Sequence, residues 1–163
     1  MSIYFSKRDI HTNSYDDLKV IKLVSKQHNI TNNFTIIPEE GGLINDLTIE
    51  KNILLGHQHK KLEELFTTKF PNKIKNLNIL KDALRFKNTV YQHAPIEIRK
   101  TAALIYGLTV PCKLSYYVYP DRYIQAPELN EFLKILDLTK IQKDKIHVIS
   151  SSNQFYMINL CAN

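Results

Sequence analysis

Two short runs of β-branched and aromatic residues stop at a proline, and they constrain the fold more than any other feature of the chain. Residues 34–37 (FTII) end at Pro38, and residues 113–119 (KLSYYVY) end at Pro120. Short apolar runs with such a boundary predict buried strands, because proline has no N–H to extend the ladder. Residues 2–5 and 146–150 read as further strands. Another β-prone run, 155–160, follows a Ser-Ser-Asn-Gln turn as hairpin partner or neighbour. Between them the spacing turns helical. Ser14 is a candidate N-cap for a helix over 15–27, with Asp16 and Asp17 in its first turn and Leu18, Ile21 and Val24 on one side. Thr48 is the candidate N-cap of a short helix containing Glu50 and Lys51. From 57 to 91 the pattern is helical with a break at Pro71, residues 96–108 form another helix, and Pro127 opens one reaching Leu136. Strands at both ends with helices between them predict an α/β fold.

At 163 residues and 44% hydrophobic composition, the chain suits one domain with a sizeable core. Nothing approaches the roughly 20 consecutive apolar residues of a membrane-spanning helix. Lys7, Arg8 and Asp9 come too early for a secretory h-region. Cys112 and Cys161 are too few and too far apart for a disulfide framework or a zinc site. These features predict a reduced cytoplasmic domain, with no metal and no cofactor.

The net charge is +6, and all of the excess sits between residues 56 and 100, where ten basic residues face four acidic ones. Such a patch could meet phosphates, lipid headgroups or an acidic protein face, and a solvated lysine-rich surface explains it equally well. A nucleic-acid-binding module using 56–100 is therefore the rival functional class. The segment lacks a helix-turn-helix glycine turn, an RNP motif and a GXXG loop, so nucleic acid is the less favoured partner. His57 and His59 form an H-x-H pair that points to different faces of a helix and makes poor joint ligands. Glu39 and Glu40 are paired carboxylates with no nearby base or nucleophile in sequence. Tyr116, Tyr117 and Tyr119 read as packing residues, with at most Tyr117 and Tyr119 sharing a strand face, and Cys112 reads as structural.

The order of these pieces resembles the nucleotide-binding domain of an ABC transporter, most like the ATPase subunit of Mla-type (MCE) lipid transporters. The run IIPEEGGLINDLTIEKNILL, residues 36–55, resembles that family's Q-loop and the stretch after it, [DN]-[LM]-[TN]-[VI]-x-[ED]-N-[VI]. Leu47, Thr48, Ile49, Asn52 and Ile53 fall on it without a gap. Residues 2–5 with Asp9 and Ile10 resemble the strand and turn that follow the family's P-loop helix. Residues 99–108 sit where the helix after the signature motif belongs. Residues 114–119 with Pro120 resemble Walker B, and residues 146–152 the strand before the switch histidine. The resemblance implies a truncated P-loop NTPase (ABC ATPase-like) core sheet in a single domain over 1–163, with 56–110 as its basic helical subdomain.

By the same resemblance, each residue of ATP chemistry is replaced. No G-x-x-x-x-G-K-[ST] occurs, so neither a nest of backbone N–H groups nor a phosphate lysine is provided. The Q-loop glutamine reads as Glu39 and the signature Ser-Gly-Gly as Ala94-Pro95-Ile96. The Walker B acid pair reads as Val118-Tyr119, or with Asp121 at the glutamate in a shifted alignment. The switch histidine reads as Ser152 or Asn153. The resemblance thus implies a non-hydrolysing adaptor or structural subunit. Its partner would be a membrane permease, an active ATPase or a larger cell-envelope complex, with a homodimer as a further form, in the cytoplasm or peripherally at the inner membrane. Glu40, Leu43, Ile44, Asp46 and Leu47 would line the docking groove, with Lys60, Lys61 and Arg85 nearby. A sheet lacking the P-loop strand would close ranks, be completed by 155–160, or be covered by a partner.

Overall fold

A computed structural model describes residues 2–7, 14–27, 29–138 and 145–151. Four strands, β1 (Ser2–Lys7), β2 (Phe34–Ile37), β3 (Leu114–Val118) and β4 (Ile146–Ser151), form one sheet in the order β1-β4-β3-β2. Every pairing is parallel, with Phe34 opposite Leu114, Tyr116 opposite Val148, and Ser2 opposite Ile146. The strands are joined by α1 (Ser14–Gln27), α2 (Ile49–Ile53), α3 (Leu62–Lys69), α4 (Asn78–Arg85), α5 (Ile96–Thr109) and α6 (Ala126–Leu138). Parallel strands need crossovers, and the crossovers cover both faces.

Alternation along the strands divides the core. Leu114, Tyr116, Val118, Ile146 and Val148 face Ile21 and Val24 of α1. Ile37, Tyr117 and Ile149 face the larger core built from α2 to α6. The two prolines end β2 and β3 as the sequence implies. Tyr119 departs from the expected pattern. The strand stops at Val118, and Tyr119 has φ 44°, so its ring joins Tyr116 on the α1 side rather than Tyr117. The helical stretch 57–91 is shorter and more broken than its periodicity predicts. It consists of α3, a 3₁₀ turn at Asn72–Ile74, α4, and a second 3₁₀ turn at Tyr91–His93.

The central helix is α5, buried on nearly every side, as a helix between a sheet and other helices must be. Gly107 allows its close approach: a Cβ there would lie 2.7 Å from both Ile37 Cγ1 and Tyr117 Cε1. Its carboxyl end is capped by Lys145, whose ammonium donates to Gly107 O at 2.9 Å and Val110 O at 2.7 Å. A cation there satisfies orphan carbonyls and complements the helix dipole.

The N-terminal expectation requires correction. Residues 2–5 were expected to follow a P-loop helix, but β1 pairs in parallel with β4 and leads towards α1 on the sheet face. Strand, loop, helix is the order of a P-loop unit itself. Residues 7–14 between them read KRDIHTNS, with neither glycine nor the phosphate lysine at its place. Among the described residues the sheet is continuous from β1 to β2, so no gap separates its strands. Residues 155–160, together with Ser152 and Asn153, lie outside the described residues.

Candidate docking groove

In parallel sheets, functional loops gather at the carboxyl ends of the strands, and here the loop after β2 builds a groove. Gly41 and Gly42 turn the chain with φ of 97° and 61°. At Gly41 a side chain is also excluded by space, since its Cβ would stand 2.4 Å from Tyr91 Oη. Asn52, fully buried on α2, then holds the loop from within. Its Oδ1 accepts from Ile44 N at 2.9 Å, and its Nδ2 donates to Ile44 O at 2.9 Å, Thr48 O at 3.2 Å and Leu47 O at 3.4 Å. Thr48 caps α2 by accepting from Lys51 N at 3.2 Å. Residues 90–92 clamp the far side: Thr48 bridges Val90, Tyr91 N donates to Leu47 O at 2.8 Å, and Gln92 N donates to Asn45 O at 3.2 Å.

The result is an open groove of about 520 Å³ whose lining includes Glu39, Glu40, Asn45, Tyr91 and Arg99. Burial pushes the Tyr91 phenol up from its ordinary pKa, so the ring presents a neutral wall. The Arg99 guanidinium stands 6.0 Å from the centre of that ring, and its buried Nε finds no hydrogen-bond partner among the described residues. The groove thus offers Arg99 and the Glu40 carboxylate on an aromatic wall, a surface suited to a polar polypeptide segment.

Beside the groove, the ends of β2 and β3 are closed by internal charge. Lys100 on α5 is fully buried, and its ammonium donates to Glu39 O at 2.7 Å, Val118 O at 3.2 Å and Pro38 O at 3.3 Å. Burial lowers its pKa to about 8, against the opposing pull of Glu39 and Asp121. Arg122 pairs with the Glu39 carboxylate and lies 4.6 Å from the centre of the Tyr119 ring. Asp121 Oδ1 is buried without a hydrogen-bond partner among the described residues.

Of the anticipated docking residues, Glu40 lines the groove; Leu43, Ile44, Asp46 and Leu47 share its loop. Ile44 is half-exposed and Leu43 packs against the core. Lys60, Lys61 and Arg85 are exposed but do not line it. The groove's cation is Arg99, and Tyr91 and Asn45 complete it. Asn45 belongs to the loop itself, whereas nothing in the sequence spacing marks Tyr91 and Arg99, which come from a strap some 45 residues downstream and from the helix that follows it. Ala94, Pro95 and Ile96 follow the Tyr91 turn and open α5, while Val118 and Tyr119 end β3. Reading 56–100 as one solvated basic surface requires correction at Lys100, which is interior, while Lys87 pairs with Glu63 at the surface. His57 is half-buried in an irregular segment, not on a helix, and its pKa falls to about 4 through burial and the charges of Lys69, His59 and Lys145. Its ring centre lies 6.4 Å from that of His59. Cys112 donates its thiol to Leu114 O at 3.2 Å.

The sequence matches no protein-family model and no curated protein. Solved structures do resemble it. An ATP-binding subunit of an ABC transporter superposes with TM-score 0.66 at 14% identity, covering 98% of this chain and 71% of that one. This is the fold of an ABC transporter ATP-binding cassette. A dimeric bacterial ABC transporter cassette gives TM-score 0.65 at 12% identity, over 99% of this chain and 77% of that chain. A bacterial Atm1-family ABC exporter with ATP bound gives 0.59 at 12% identity, over 90% of this chain and 29% of the exporter. Identities this low show a shared cassette fold. The α/β reading with a truncated cassette sheet therefore holds.

Proposed function

We propose that the chain is a non-hydrolysing cassette-like subunit that docks through the 38–47 groove on a membrane permease, an active ATPase or a larger cell-envelope complex. One observation carries the reading: the docking loop is fully constructed, while the adjoining strand ends, where the resemblance places nucleotide chemistry, are filled by the protein's own charges. Lys100 already holds a cation's place among the Pro38, Glu39 and Val118 carbonyls. Tyr119 stands where an acid would be needed and packs beneath Arg122. The Glu39 side chain, where the resemblance places the Q-loop glutamine, is taken up by Arg122. Phosphoryl transfer depends on positioning and charge stabilisation, and these residues do not fit a magnesium triphosphate. The Mla-type assignment rests on residues 36–55, and location at the inner membrane follows from the proposed partner. The rival, nucleic-acid binding through 56–100, loses one of its ten basic residues, because Lys100 is buried.

Affinity capture from native membranes should recover a permease or ATPase component with the wild-type chain and lose it with Glu40→Lys/Arg99→Glu. Recovery of neither component, or saturable binding of ATP and magnesium by the purified chain, would overturn the proposal.

A further inference from the structure

A second surface lies on the sheet face that carries α1 and goes beyond the reading above. Neighbouring strands stand about 4.8 Å apart and a helix is about 10 Å across, so one helix covers two strands. On this face α1 packs on β3 and β4. The strip of β2 lies beyond its reach: Phe34 and Ile36, in register with Leu114 and Tyr116 and so on the same face, remain 38% and 37% exposed. A groove of about 460 Å³ separates α1 from this strip. Its floor includes Ile21, Ile30 and Phe34, and Lys22 and Lys26, one helical turn apart, stand exposed on its α1 wall. Residues 18–37 hold three lysines and no Asp or Glu, so the charge beside the groove has one sign.

We propose that this groove takes up an acidic amphipathic helix of a partner protein, laid beside α1 over β2. Parallel sheets carry helices on both faces, and among the described residues the place next to α1 is left for one. A helix there turns its apolar stripe onto Phe34 and Ile36 and one flank onto α1. Carboxylates one turn apart on that flank meet Lys22 and Lys26, since stripe and flank of one helix both face the same groove. Apolar anchors at helical spacing supply the affinity, and the charge pairs fix direction and accelerate encounter. The groove is recessed beside α1, a shape that suits a rod rather than a flat lipid surface.

The probe is a fluorescent, end-capped, three-heptad peptide with leucine at helical spacing of three and four and glutamate on its flanks, titrated against the full chain by anisotropy. Controls are the same residues reordered so that leucine and glutamate alternate, and a counterpart with lysine for glutamate. The acidic helix should bind, and binding should fall at least tenfold with the reordered peptide, with the lysine peptide, and with Lys22→Glu/Lys26→Glu. On that variant the lysine peptide should in turn bind more tightly than the acidic one. Both substituted positions are exposed, and unchanged far-UV circular dichroism will verify that the variant folds. At saturation the Ile36 methyl resonances should shift and those of Ile44, in the 38–47 loop, should not. Equal binding of either control peptide, an unaffected variant, or shifts at Ile44 without Ile36 would overturn the proposal. So would no binding of the acidic helix at 1 mM (on the order of the weakest measurable affinity,), whether or not anionic phosphatidylglycerol vesicles recruit the wild-type chain. Lys22→Glu/Lys26→Glu leaves capture through the 38–47 groove intact, so the two proposals fail separately.

Discussion

Lys100 and His147 are the residues whose burial has the clearest physical consequences. Lys100 donates to three carbonyls at once. Lys100→Met, of similar volume, would take that donor from the Glu39 and Val118 carbonyls, whereas Pro38 O keeps Gly41 N at 3.0 Å. An orphaned buried acceptor costs about 1 kcal/mol or more, so urea unfolding should show a loss of about 2 kcal/mol. His147 lies 5% exposed on β4, with its Nδ1 3.0 Å from the Tyr117 hydroxyl. Burial, with Lys145 nearby, lowers its pKa from 6.5 to about 3. Between pH 6.5 and 3 the unfolded chain therefore takes up a proton that the folded chain excludes. The contribution is present in full above pH 6.5 and is lost as the pH falls towards 3. At about 1.4 kcal/mol per pH unit the full span is on the order of 5 kcal/mol. His147→Gln, which cannot titrate, should flatten the acid limb of stability measured by thermal melts from pH 7 to 3.5. An unchanged limb would assign acid sensitivity to other groups. Neither residue's role was legible in the sequence. Lys100 counted among ten basic residues, and only the burial of α5 on all sides removes it from solvent.

At the level of elements, the best-matched stretch of sequence is also the best explained. Asn52 makes four hydrogen bonds to the loop it follows, and Thr48 caps the helix that presents it. Asn52→Ala should therefore cost about 3 kcal/mol and raise hydrogen exchange at Ile44 above the rest of the chain. Gly41→Ala combines a strained positive φ with a collision against Tyr91. It should cost about 1–2 kcal/mol and abolish capture of the membrane partner while leaving the remainder of the core folded. Strands and helices were largely readable because their signals are local: prolines ending β2 and β3, the cap at Thr48, the proline opening α6. The broken helices of 57–91 were harder, since their breaks serve packing on α5 and α2 rather than propensity. The groove was half legible. Its loop is contiguous in sequence, whereas Tyr91 reaches it through the strap bonded to Leu47 and Asn45, and Arg99 comes from α5.

For the molecule as a whole, sheet order is the decisive fact. With β1 beside β4 and β2 at the opposite side, the carboxyl ends of β2 and β3 meet the start of α5, and Phe34 and Ile36 of β2 stay partly exposed. If the nucleotide site is closed by Lys100, Glu39 and Arg122, millimolar ATP with magnesium (on the order of its ordinary level) should leave the melting temperature unchanged, because a ligand stabilises only by binding the folded state. A concentration-dependent rise would reopen the question of hydrolysis. The amino-acid sequence by itself determined the α/β class, the positions of most elements, the bend between β2 and α2, and the absence of a phosphate-binding loop motif. These are short-range properties of turns, caps and periodicity. Tertiary structure alone decided that β1 opens the sheet, that Lys100 and Lys145 are interior, and that Arg99 rather than Lys60, Lys61 or Arg85 faces the groove. Those outcomes depend on which distant segments pack together, and that pairing follows from the burial of whole faces, which no local stretch of residues encodes.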